Sequence, residues 1–75
     1  MQTFIVVSSE KANMYDKALC MEIRNYKIVS YKKQQDIVRI YFDESFGATV
    51  ARVWREVETY FLQQKIKDIK ESMLF

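Results

Sequence analysis

Few side chains in this sequence could carry out catalysis, and none has a suitable partner nearby. The 75 residues contain no histidine, so the commonest general base and metal ligand is missing. Cys20 is the single cysteine, which excludes an internal disulfide or a cysteine-rich metal site, and we expect it to be a buried structural residue. Asp43 and Glu44 lie where a helix should begin, and Glu56 and Glu58 cannot share one side of a helix.

The chain also lacks the glycine-rich loops that bring backbone amides to a phosphate group. Its only glycine is Gly47. We therefore predict that the protein is not an enzyme, and that it uses no metal, no cofactor and no small-molecule substrate.

A different chemistry, nucleic-acid binding, is indicated by basic residues interleaved with tyrosines. Five basic residues and one acidic residue lie between positions 24 and 39. If Val38, Ile40 and Phe42 face the core of a strand, Arg39 and Tyr41 face outwards and could stack on bases. The residues predicted for this role are Lys27, Tyr31, Lys33, Arg39 and Tyr41.

Three features of the sequence argue against nucleic-acid binding, which is therefore the alternative hypothesis. The net charge is only +2, tyrosine is common on strands, and no aromatic RNA-binding signature is present. Another protein could equally well cover an open sheet face.

The elements that must position these residues belong to one small domain, residues 1–75. Hydrophobic residues make up 49% of the chain, which favours a folded domain over disorder. The apolar run from Phe4 to Val7 is too short for a signal peptide, and no run approaches the length of a membrane span. We therefore expect a cytoplasmic protein without a membrane partner.

The first half of the chain contains one clear strand and one ambiguous segment. Thr3–Val7 is β-branched and aromatic, and its four consecutive apolar residues predict a central strand buried on both faces. Residues 10–25 fit a helix with Ala12, Tyr15, Leu19, Ile23 and Tyr26 on one face. They also fit a strand, because Leu19, Met21 and Ile23 alternate with polar or small residues. Length and propensity favour the helix.

A hairpin and a long helix follow. Residues 27–31 and 37–42 form the two predicted strands, and a helix is predicted from Phe46 to Met73. The sequence thus predicts an α+β fold, β-α-β-β-α, in which a small antiparallel sheet packs against one long carboxy-terminal helix. The alternative is β-β-β-β-α.

The long helix carries two apolar stripes. The first stripe should pack on Val38 and Phe42 of the sheet, and it consists of Val50, Val53, Trp54, Val57 and Phe61. The second opens roughly 130° further round the helix and contains Leu62, Ile66, Ile69 and Met73. Because a helix of this length should extend beyond strands of five or six residues, the second stripe should project past the sheet.

The projecting stripe predicts a protein-binding surface, formed by Leu62, Ile66, Ile69, Met73 and Phe75. Its partner would be a second copy of the chain, as a homodimer, or another protein. The sequence therefore favours a small protein–protein interaction module that acts as a regulator or inhibitor. The competing interpretation is a bend near Gln63 that folds the stripe back onto the core, although no proline or glycine is present to cause it.

Overall fold

The chain forms a three-stranded sheet with both helices on one of its faces. The computed structural model describes the backbone of residues 1–31 and 34–73 and the side chains of residues 1–30 and 36–72. The α+β class and the β-α-β-β-α order predicted from the sequence are confirmed. In chain order the elements are β1 (Gln2–Ser8), α1 (Ala12–Cys20), β2 (Tyr26–Tyr31), β3 (Gln34–Asp43) and α2 (Gly47–Met73), with a short 3-10 turn before each helix.

The sheet is antiparallel, with strand order β1-β3-β2. Ile40 in the central strand β3 lies opposite Ile5 of β1 and Ile28 of β2. The prediction that the first strand is central and buried on both faces is wrong. β1 is an edge strand, and its Phe4 and Val6 are 43% and 48% exposed. Its apolar run arises because Ile5 and Val7 face the core while Phe4 and Val6 form part of an open apolar face.

The core lies between the sheet and the two helices. Tyr15 and Leu19 of α1 are fully buried, as predicted for the helical alternative of residues 10–25. Val38 and Phe42 belong to the same buried cluster as Val50, Val53 and Val57 of α2, in agreement with the prediction that α2 packs on this face of the sheet. The cluster consists of Val7, Tyr15, Leu19, Ile23, Val38, Ile40, Phe42, Val50, Val53 and Val57.

Trp54 does not lie in this core, contrary to the prediction. Its side chain is 47% exposed, whereas that of Val53 is 1% exposed. The two residues lie on opposite edges of the predicted stripe, roughly 100° apart round the helix. The helix is rotated so that the edge carrying Val53 faces the sheet. Phe61, at the end of the stripe, is partly buried against the core.

Asp43 joins the end of the sheet to the start of α2. Its carboxylate accepts a hydrogen bond from the backbone amide of Ser45 at 3.0 Å and pairs with the amino group of Met1 at 3.2 Å. Hydrogen bonds from the side chain and backbone of Ser45, together with the amino-terminal charge, lower the pKa of Asp43 to about 2. The cap thus fixes the direction in which α2 leaves the sheet.

The last three turns of α2 continue beyond the core without bending back. Every side chain described after Phe61, from Leu62 to Ser72, is exposed. The helix has 27 residues, and the longest dimension of the molecule is 51 Å. Over residues 1–31 and 34–73, neither α1 nor α2 contains an apolar stretch of the length that a membrane-spanning helix requires.

Candidate interaction surfaces

An apolar row lies on the projecting part of α2. It consists of Leu62, Ile66 and Ile69, whose side chains are 58%, 45% and 59% exposed. Their spacing of four and then three residues keeps them on one side of the helix, facing away from the core. Met73 continues this spacing in the sequence, but its side chain lies outside the described part of the chain, as does Phe75. We call Leu62, Ile66 and Ile69 the apolar row.

Lysines border the apolar row, and charges of both signs lie behind it. By helical spacing, Lys65 and Lys70 flank the row on opposite sides, whereas Lys67, Asp68 and Glu71 lie on the rest of the surface. All five side chains are exposed. This arrangement of an apolar centre, charged borders and a mixed-charge back is typical of a helix that packs against another surface.

A shallow groove continues the exposed apolar surface from the row towards the core. Its volume is about 260 Å³, and Trp54, Phe61 and Leu62 supply its apolar wall. The amino group of Lys11 lies 5.3 Å from the centre of the Phe61 ring. Sequence reasoning missed this groove, because it placed Trp54 in the core. The groove is lined by Lys11, Trp54, Glu58, Phe61, Leu62 and Lys65.

Glu58 connects α2 to the first helix at the edge of this groove. Its carboxylate accepts hydrogen bonds from Lys11 at 2.6 Å and from the Tyr15 hydroxyl at 2.7 Å. The hydrogen bond from Lys11 lowers the pKa of Glu58, with a further contribution from that of Tyr15. Burial raises the pKa of Tyr15, and the hydrogen bond to Glu58 raises it further. The Lys11–Glu58 ion pair and the buried Tyr15 phenol thus account for both pKa shifts. These contacts stabilise the packing of α2 against the first helix and the turn that precedes it.

The second surface is the face of the sheet opposite the helices. Phe4 lies opposite Tyr41 in the β1–β3 register, with the two ring centres 5.4 Å apart. The guanidinium group of Arg39 lies 4.6 Å from the centre of the Phe4 ring and donates a hydrogen bond to the Tyr41 hydroxyl at 3.4 Å. Lys27 lies opposite Tyr41 on the other side. We call Phe4, Lys27, Arg39 and Tyr41 the sheet-face cluster.

Three of the five residues predicted for nucleic-acid binding therefore share one face of the sheet. They are Lys27, Arg39 and Tyr41, while Lys33 and the side chain of Tyr31 lie outside the described part of the chain. Sequence reasoning missed Phe4, although the apolar run from Phe4 to Val7 was its signal. Half of that run had to face away from the core, since both described helices pack on the same face of the sheet.

The described residues of the two surfaces also bear on the metal and cysteine predictions. Within residues 1–31 and 34–73, no group of three or more histidine, cysteine, aspartate or glutamate side chains could hold a metal ion. Cys20 is exposed, contrary to the prediction that it would be buried, because α1 ends there with Leu19 rather than Cys20 facing the core. Its thiol donates a hydrogen bond to the backbone carbonyl of Lys17.

Comparison with known proteins adds no further constraint on these surfaces. A scan against models of protein families and searches of curated proteins and of solved structures found no match to this chain.

Proposed function

We propose that this protein is a small, non-enzymatic protein-binding module of the regulator or inhibitor type. It acts through the projecting part of α2, and its first partner is a second copy of the same chain. The observation that carries the proposal is the exposure of Leu62, Ile66 and Ile69 on one side of α2, in the part of the helix that extends beyond the core.

The energetics of an unsupported helix favour a partner at this position. The projecting part, residues 62–73, is about 18 Å long at 1.5 Å per residue. These turns continue a docked helix, but none of their described side chains packs on the core, and tertiary packing supplies most of the stability of helices in proteins. A surface that covers the apolar row would hold these turns in helical form and remove its exposed apolar side chains from water.

The test is sedimentation of a double variant in which Ile66 and Ile69 are both replaced by Asp. Because neither residue contacts the core cluster, the variant should keep the fold, checked by circular dichroism and by its melting temperature. The wild type should show concentration-dependent association beyond the 9.0 kDa monomer, and the double variant should sediment as a monomer.

A matched control places the same charge change on another side of the helix. Gln64→Asp with Lys67→Gln also lowers the net charge by two units but leaves the apolar row intact, so it should associate like the wild type. The proposal fails if the wild type remains monomeric at about 1 mM, or if the Asp variant unfolds because these isoleucines belong to its own core.

We propose single-stranded nucleic-acid binding by the sheet-face cluster as the second candidate function. The observation that favours it is the meeting of two aromatic rings with Arg39 and Lys27 on one face. Aromatic rings on a sheet can stack on unpaired bases while nearby cations contact phosphate groups. The only acidic residue described on this face, Asp43, already pairs with the amino group of Met1.

Fluorescence anisotropy with a labelled single-stranded oligonucleotide, of about 15 bases, tests this second function. Binding should weaken steeply between about 20 and 200 mM salt, because phosphate contacts release counterions. Lys27→Glu with Tyr41→Leu should abolish it, whereas Lys67→Glu with Tyr60→Leu, two changes on α2, should leave affinity nearly unchanged. The absence of any signal at low salt would eliminate this function.

A further inference from the structure

The outer side of β1 has no strand beside it in the described part of the chain. β1 stands at the end of the strand order β1-β3-β2, so only its inner side is paired. The backbone amide of Glu44 donates a hydrogen bond of 2.9 Å to the carbonyl of Met1, and these two residues continue the β1–β3 register by one position beyond the pair Gln2–Asp43. In an antiparallel pair, such hydrogen-bonded positions alternate with positions whose backbone groups point away from the neighbouring strand.

This alternation assigns the backbone groups of β1 to its two sides. The odd-numbered residues of the strand turn their N–H and C=O groups towards β3. Gln2, Phe4 and Val6 therefore turn theirs outwards. These groups recur at every second residue, which is the spacing at which another extended backbone offers its own donors and acceptors.

The helices leave this edge accessible. Both described helices pack on one face of the sheet, and on that face Thr3 is exposed and Ile5 is only partly buried. On the opposite face, Phe4 and Val6 are exposed. Side chains on both faces of β1 are thus open to a chain that lies along its outer side.

β1 also lacks the features that usually prevent pairing at the edge of a sheet, namely charged side chains, proline and β-bulges. The segment Gln2–Ser8 contains no charged residue and no proline, and its register with β3 is regular over all seven residues. At the other edge, β2 carries Lys27, and its register with β3 shifts between Ser30 and Tyr31. Of the two edges, β1 is therefore the one suited to accept a further strand.

We propose that β1 binds a short extended segment of another protein, which adds to the three-stranded sheet as a fourth strand. Its backbone hydrogen-bonds to the outward groups of Gln2, Phe4 and Val6, and the main chain supplies the affinity in this mode of recognition. Because β1 is uncharged and its open face is apolar, the segment is uncharged, with apolar side chains at alternate positions. This inference goes beyond the proposed function and does not rest on it, since β1 shares no residue with the apolar row.

A labelled synthetic peptide tests the inference. It consists of alternating threonine and valine over about eight residues, with a lysine at each end for solubility. Fluorescence anisotropy should show saturable binding to the wild-type protein. In amide hydrogen exchange, saturating peptide should slow the exchange of the Phe4 and Val6 amides at least about tenfold, whereas the Ile5 amide, which faces β3, should be protected with or without peptide.

Val6→Pro tests the direction of the backbone groups. It removes one outward donor and leaves the hydrogen bonds to β3 in place, and proline is tolerated in an edge strand where the N–H faces solvent. The variant should fold, checked by circular dichroism, and should raise the Kd for the peptide at least about tenfold, because the ring also obstructs the approaching strand.

Two control variants accompany Val6→Pro. Val6→Thr keeps the N–H and the preference for strand, so it should leave the Kd within about threefold. Ser30→Pro removes an outward donor from β2 instead, because the alternation carried through β3 turns the backbone of Ser30 away from the sheet, and it should leave the Kd within about twofold.

Three results would overturn the inference. They are the absence of peptide binding at about 1 mM wild-type protein, a Kd that a folded Val6→Pro variant leaves unchanged, and protection of the Phe4 and Val6 amides that rises with protein concentration without peptide. The last result would show that a second copy occupies the edge. If Val6→Pro does not fold, the exchange of the wild-type amides decides alone. The Ile66→Asp, Ile69→Asp double variant should bind the peptide as tightly as the wild type, so this inference and the proposed function can fail separately.

Discussion

The hydroxyl of Tyr15 in α1 donates a hydrogen bond of 2.7 Å to the carboxylate of Glu58 in α2. The two residues are 43 positions apart in the sequence, and this contact ties the helices together where α2 is about to leave the core. The rest of the Tyr15 side chain is fully buried among apolar residues. A buried phenol with a charged acceptor fixes the base of the projecting helix, so the apolar row is presented on a rigid support.

This contact predicts a specific loss of stability in alkaline solution. Because burial and Glu58 raise the pKa of Tyr15 above its ordinary value of 10.0, the unfolded chain releases this proton at lower pH than the folded chain. The stabilisation is complete below about pH 10 and is lost as the pH rises towards the folded-state pKa. Tyr15→Phe should cost about 1 kcal/mol at neutral pH and flatten this alkaline decline.

Urea denaturation between about pH 7 and 11 measures this effect. Tyr26→Phe is the comparison for a partly buried phenol, because the ring of Tyr26 packs against the core cluster and its hydrogen bond to Asp16 raises its pKa to about 12. If Tyr15→Phe and the wild type lose the same amount of stability above pH 10, burial and Glu58 do not raise the pKa of Tyr15, and the prediction is wrong.

The rotation of α2 predicts that its smaller side chain matters more than its larger one. Val53→Ala should lower the free energy of unfolding by about 2 kcal/mol, because Val53 is buried and its loss leaves a cavity. Trp54→Ala should cost about 1 kcal/mol, since solvent can fill the space beside a half-exposed ring. Thermal melting compares the two variants directly.

Quenching of tryptophan fluorescence by acrylamide is the accompanying control, because Trp54 is the single tryptophan. The quencher should reach it readily in the folded protein. The prediction is contradicted if Trp54→Ala melts well below Val53→Ala and acrylamide does not quench the wild-type indole. That result would show that Trp54 lies in the core.

Periodicity predicted the elements well because they depend on local patterns. Val38, Ile40 and Phe42 alternate along β3, and Tyr15 and Leu19 are one helical turn apart on α1, so their shared burial could be predicted. The exposure of the apolar row also agrees with the prediction, since it follows from the length of α2 relative to the sheet. Whether a partner covers the row stays a prediction.

The errors came from arrangements that periodicity does not encode. Val53 and Trp54 lie on the two edges of the predicted stripe, and the sequence does not distinguish these edges. The rotation of α2 about its own axis decides which of the two side chains is buried. Phe4 and Val6 are apolar although they lie on the open face, so their strand resembled a central one. The contact between Tyr15 and Glu58 joins distant parts of the chain, and no local pattern predicts it.

Amide hydrogen exchange of the wild-type protein at two concentrations tests the central claim most directly, because it locates the contact on the chain. Protection of residues 62–72 should rise from dilute to concentrated solution in step with the dimer fraction, while that of residues 50–57 stays constant. The Ile66→Asp, Ile69→Asp double variant should lack this rise. Protection of residues 62–72 that is independent of concentration, in a protein that sedimentation shows to associate, would place the interface elsewhere and contradict the account.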